Sequence, residues 1–229
     1  MQKLSNNSIT SYIDLLRTIP YVTEHIAETY PKLKEPEELF DTLCHEACHN
    51  IAALSCGGQP GNVSVHVSAK GMGGRAQLGS VSLIDHEAFV SLMGLAFEAR
   101  HGLLKRADDD RESAERYCLM SEQWGQNHPG SHNPLGFDRI LNGALFVVDN
   151  HFDLIQATAV GYLLGLPSKL KGGILGTPVS AGAASLTHFL VKPSVPKFDV
   201  LFESKEKTLP ITALHDQVGA PICTRWQPA

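Results

Sequence analysis

The chain has 229 residues, of which 43% are hydrophobic and 19% charged, with 20 Gly and 13 Pro. That is the profile of a globular protein of one domain or two small ones, and it excludes disorder and collagen-like structure. The net charge of −5 excludes nucleic-acid binding through a general basic field.

In chain order, the first third reads as helical. Ser11–Thr18 and Val22–Tyr30 are short helices interrupted by Pro20 and Pro31. The next helix opens at Pro36, where a missing N–H costs nothing. Glu35, Glu37 and Glu38 complement its positive end. Leu39, Leu43, Ala47, Ile51 and Leu54 follow at helical spacing, and Cys56-Gly57-Gly58 closes it. The period then changes to two over Asn62–Ser68, a strand. Gly71–Gly74 reads as a flexible turn and Gln77–Leu83 as a second strand of a hairpin. Asp85 reads as the N-cap of a helix to about Arg100, and another helix runs from Asp108–Asp110 to about Trp124. Gly125–Gly136 is a loop by composition. Phe137–Gly165 is helical with a break around Asp149–Phe152, and Val200–Glu203 reads as a short strand. The expected class is mainly α with a small β-hairpin or sheet (α+β). Its segments are an N-terminal helical part (1–35), a core (36–165) and a C-terminal extension (166–229).

Five cysteines, Cys44, Cys48, Cys56, Cys118 and Cys223, do not read as a disulfide framework. MQKLSNNSIT lacks a signal-peptide h-region, and no apolar run reaches the roughly 18–20 residues of a membrane span. The expectation is a cytoplasmic protein with reduced thiols, without a nucleic-acid or membrane partner.

The helix from Pro36 contains His45-Glu46-Ala47-Cys48-His49, an HExxH motif. Residues i and i+4 project from one face, so His45 and His49 can offer two imidazole nitrogens to one zinc ion. Glu46 then lies where a carboxylate serves as general base. Zinc in such a site acidifies water and polarises a scissile carbonyl. A catalytic site needs a third protein ligand. Ala52 and Ser55 stand where a metzincin would have Gly and His, which excludes that family. Glu87, Glu98 and the run Asp108-Asp109-Asp110 remain as candidates.

The chain resembles the zinc peptidase domain of FtsH-type proteases across about residues 40–120. HEACH at 45–49 matches the family's HEAGH. NVSVHVSAKGMGGRAQLG at 62–79 is similar to its strand and glycine-arginine turn. LMGLAFEARHG at 92–102 is similar to its LLGGRAAEExxFG helix, and Asp109–Ala114 resembles its NDLxxA segment. The resemblance implies an FtsH-like peptidase fold with Asp110 as third ligand. Asp109 is a helix cap or alternative ligand, and Glu98 orients a ligand imidazole. Cys48 replaces the family's glycine, and no GxxxxGK[ST] loop marks the family's ATPase.

Val63, Val65, His66 and Val67 of the strand that follows the motif are the candidate substrate-pairing edge. The Lys70–Arg75 turn is a candidate substrate rim. His128 and His132, in the glycine-rich loop, read as solvated residues, and Cys44 and Cys48 as buried thiols. Together these readings imply an ATP-independent zinc metalloendopeptidase acting on accessible peptide or unfolded protein. The alternatives are a zinc-binding pseudo-peptidase serving as a regulatory module, and a hydrolase of non-peptide bonds. The oligomeric state is left open.

Overall fold

Helix α3, Pro36–Ser55, is the element around which the rest is arranged. Pro36 opens it, Glu37 and Glu38 occupy its first turn, and Gly57 ends it at φ 74°. The Gly58 amide bonds back to the Ala53 carbonyl at 2.8 Å, closing the helix through a Schellman-type cap. Leu39, Leu43, Ala47 and Ile51 are all buried, as their spacing requires.

The computed structural model describes residues 12–68, 71–79, 81–101, 108–131, 133–166, 179–181 and 195–203. It is mainly helical with a small antiparallel sheet, an α+β arrangement. Helix α1 (Tyr12–Thr18) leads through a 3-10 turn (Ile19–Tyr21) to α2 (Val22–Thr29). After α3 come strands β1 (Asn62–Ser68) and β2 (Gly71–Gln77), then α4 (Ile84–His101), α5 (Asp108–Asn127), α6 (Phe137–Asn150) and α7 (Phe152–Gly165). Strand β3 (Val179–Ala181) and helix α8 (Phe198–Glu203) are the last described elements.

Helix α3 packs against α2, α4, α7 and both early strands, while α4 also carries α5 and α6. Helix α7 is buried on nearly every side from Leu154 to Leu163, the pattern of a helix enclosed by protein. Leu15, Val22 and Ile26 from the N-terminal segment belong to the same apolar cluster as α3 and α7. Phe198 and Phe202, from the segment read as an extension, also join it. Among the described residues, no helix is long and apolar enough to cross a membrane.

Several local expectations are corrected. Gly71–Gly74 is not a turn. It opens β2, which pairs with β1 in register from Asn62↔Gln77 to Ser68↔Gly71. The glycines serve close approach: a Cβ on Gly73 would lie 2.6 Å from the His66 ring. The candidate rim is therefore strand from Gly71 to Arg75, and Lys70 lies outside the described residues. Residues Leu78–Leu83 form no strand among those described.

The sheet order is β2-β1-β3, so β1 is central rather than an edge. Val63, Ser64 and Val65 are paired on both sides, and the side chains of Val63 and Val65 are buried. Asp85 is not the N-cap, because the helix already begins at Ile84. It is buried inside the first turn of α4, where Ser121 donates to it at 2.5 Å. Helix α5 extends to Asn127, into the expected loop. Phe198–Glu203 is helix, not strand, because its phenylalanines pack as neighbours one turn apart against Phe89.

Candidate metal centre

Three side chains from two helices meet at one point. Helix α3 projects His45 and His49 from one face, and the first turn of α5 brings Asp110 opposite them. His45 Nε2 lies 3.1 Å from His49 Nε2 and 3.1 Å from Asp110 Oδ2, and His49 Nε2 lies 3.3 Å from that same oxygen. A tetrahedral ion with bonds of about 2.0–2.1 Å sets its ligand atoms roughly 3.3–3.4 Å apart. The triangle of donor atoms therefore fits a single metal ion, and two imidazoles with one carboxylate suit a first-row divalent cation.

The far side of each imidazole is also engaged. His45 Nδ1 lies 2.9 Å from Glu98 Oε1, and His49 Nδ1 lies 2.8 Å from the Val90 carbonyl. The Val90 carbonyl can only accept, so His49 Nδ1 carries the proton, and the Glu98 carboxylate beside His45 Nδ1 favours the same tautomer there. That choice of tautomer leaves both Nε2 lone pairs turned to the shared point. Glu98 is buried, and its second oxygen, Oε2, has no hydrogen-bond partner.

The charges reinforce one another. Burial alone would lower the His45 pKa, but hydrogen bonds to Asp110 and Glu98 and nearby carboxylate charge raise it to about 10. The His49 pKa is raised for the same reason, against its own burial. Burial would raise the Asp110 pKa, but the two histidines outweigh it and hold the carboxyl well below its usual range. With no metal bound, protons on the imidazoles balance the Asp110 carboxylate, and a divalent cation would take the place of those protons.

Glu46 follows His45 and is 3% exposed. Burial raises its pKa, and the Ala76 amide of β2 donates to its carboxylate. Strand β2 comes this close because Gly74 has no side chain: a Cβ there would lie 2.7 Å from Glu46 Cγ. On α4, a Cβ on Gly94 would lie 2.6–2.8 Å from Asp110 Oδ2 and from ring carbons of both histidines. Sequence reading placed Gly74 only in a turn and candidate substrate rim and gave Gly94 no role; for Gly94 the signal was a glycine inside a helix.

The remaining candidates stand apart. Asp109 is exposed, and neither it nor Glu87 belongs to the metal-ligand group found among the described residues. His66 is exposed on the sheet, and the Val67 side chain is not described. His128 stacks on Trp124 with ring centroids 4.1 Å apart, and His132 lies outside the described residues. Cys44 and Cys48 are buried free thiols whose pKa burial pushes well up, so neither is a ready nucleophile.

Compared with protein-family models, curated proteins and solved structures, the chain matches none.

Proposed function

We propose that this protein is a zinc-dependent, ATP-independent peptidase that cuts accessible peptide or unfolded polypeptide. We extend to its fold the FtsH-like resemblance carried by HEACH, LMGLAFEARHG and the Asp110 segment. The observation that carries the reading is Glu46, a buried carboxylate with a raised pKa, one residue along the helix from a ligand of a three-ligand metal site. A site that only held a structural ion would gain nothing from burying that carboxylate.

His45, His49 and Asp110 would hold the zinc, with Glu98 and the Val90 carbonyl orienting the imidazoles. Bound there, zinc would supply Lewis-acid polarisation of the scissile carbonyl and acidify a water molecule. Glu46 takes the proton of the attacking water and returns it to the leaving amine. Its raised pKa suits the first half of that task, since it accepts a proton more readily than an ordinary glutamate. The bare backbone at Gly74 of β2 borders Glu46, so an extended substrate would lie along β2 rather than β1.

The test compares wild type and Glu46→Gln for metal content and for cleavage of an unstructured protein without ATP. Both should hold about one zinc per chain, and only wild type should cleave. Iron in place of zinc, or cleavage by Glu46→Gln, would overturn the reading. A zinc-loaded wild type that cleaves nothing would leave a zinc-binding regulatory module.

A further inference from the structure

Helices α3 and α4 run past each other in opposite directions at the metal centre. His49 meets Val90 and His45 meets Glu98, so advancing along one helix means retreating along the other. Val90, Gly94 and Glu98 are spaced i, i+4 and i+8, which places them on one stripe of α4. The outer two hold the Nδ1 atoms of the two imidazoles. Gly94, between them, faces both rings and the third ligand. A Cβ at Gly94 would sit 2.6 Å from Asp110 Oδ2, 2.7 Å from His49 Cε1 and 2.8 Å from His45 Cε1. None of those atoms moves without loss: the Val90 carbonyl holds the His49 ring, the Glu98 carboxylate pairs with the His45 ring, and the Asp110 oxygen is held between the two Nε2 atoms.

We propose that Gly94 is the position that admits the metal: only a residue without a side chain lets the α4 backbone lie close enough for His45, His49 and Asp110 to converge on one ion. Glycine is among the poorest helix formers, and here it stands in the interior of an 18-residue helix, buried, with Met93 and Leu95 on either side. Chain entropy disfavours it there, and the three atoms nearest to its missing Cβ all belong to the proposed metal ligands. Gly161 of α7 is the opposite case: it is also buried in a helix, yet a Cβ there would meet nothing within 4 Å. The inference rests on the metal-binding reading of the three ligands and does not depend on peptidase activity.

The experiment uses the full chain as wild type, Gly94→Ala and Gly161→Ala, each stripped of metal with a chelator. Circular dichroism follows folding and thermal unfolding, and competition against a chromophoric chelator gives zinc affinity. Metal-free Gly94→Ala should fold with the circular dichroism spectrum of wild type but a lower Tm, because the new Cβ has to push the paired rings and carboxylate apart. Its zinc affinity should fall about 10–100-fold, the range for losing support of a ligand set. Its zinc-induced rise in Tm should shrink accordingly. Gly161→Ala should keep wild-type affinity. A zinc affinity reduced less than about tenfold in Gly94→Ala, an equal loss in Gly161→Ala, or a metal-free Gly94→Ala that fails to fold would each overturn the proposal, the last by showing that Gly94 serves helix packing. A wild-type chain that binds no zinc would overturn the metal reading itself, and this inference with it.

Discussion

The carboxylate of Glu98 on α4 lies 2.9 Å from Nδ1 of His45 on α3 and has no access to solvent. A buried charge in that position is costly unless it is paired, and the pairing here favours the Nδ1–H tautomer of a candidate metal ligand. Glu98→Ala should lower zinc affinity about 10–100-fold, with a smaller loss for Glu98→Gln, which keeps an acceptor but not the charge. Chelator competition measures both. Equal affinity in Glu98→Ala would remove Glu98 from the support of the site.

Asp110 and its neighbour Asp109 separate the ligand from the helix-end charge. Asp110 reaches both imidazoles, whereas Asp109 is exposed and outside the metal-ligand group. Asp110→Ala should lose zinc on dialysis, and Asp109→Ala should retain about one zinc per chain. The reverse result would move the third ligand one residue back.

Where local pattern carries the information, the fold was legible. Helix α3 announces itself through Pro36, five apolar residues in period and Gly57, and HExxH places two candidate ligands on one face wherever that helix goes. The third ligand is different. Three aspartates in a row look alike by spacing, and only the family-like segment singled out Asp110. Strand β2 was hidden because Gly71-Met72-Gly73-Gly74 has the composition of a turn. The structure shows these glycines accommodating His66 and Glu46, a demand that arises only once distant parts of the chain meet. The central place of β1 depends on β3, more than a hundred residues away, which no local period can report. Helix α8 is too short for its period to distinguish helix from strand, and packing against Phe89 decides it.

Cys44 and Cys48 flank the ligands in sequence but point into the apolar core, and burial pushes both thiols well above their ordinary pKa. In the native protein neither should react with iodoacetamide at pH 7.5 on the timescale that labels both in denaturant. Mass mapping of the alkylated peptides reads this directly. Rapid native labelling would reopen the case for a thiol switch beside the metal.

Metal binding should be strongly pH-dependent. Without metal, the His45 pKa is raised from 6.5 to about 10, so the ring is protonated at pH 7, and His49 is shifted in the same direction. Zinc needs both Nε2 atoms free, so binding must expel those protons. Calorimetry in buffers of different ionisation enthalpy should find about one to two protons released per zinc at pH 7, with affinity rising up to roughly tenfold per pH unit for each proton displaced. The sign for folding is opposite. A raised histidine pKa stabilises the metal-free fold fully below 6.5, and that contribution is lost as pH rises through about 10. Zinc binding without proton release would show that the histidines are already neutral.

Gly74 and Gly94 approach the centre from different sides, and their substitutions should fail in different ways. A Cβ on Gly74 would fall onto Glu46 Oε1 and lie 2.7 and 2.8 Å from its Cγ and Cδ, so the three atoms nearest to it all belong to Glu46. The Ala76 amide holds the Glu46 carboxylate close to β2, so the side chain has to swing away from its donor to make room. Displacing a catalytic group by about 1 Å can cost roughly 100-fold in rate. Gly74→Ala should therefore lose about that much in kcat while binding zinc as tightly as wild type. Gly94→Ala should lose zinc first and recover rate when zinc is raised to saturation. If Gly74→Ala kept full kcat, Glu46 would have to act from a position other than the one it holds against β2.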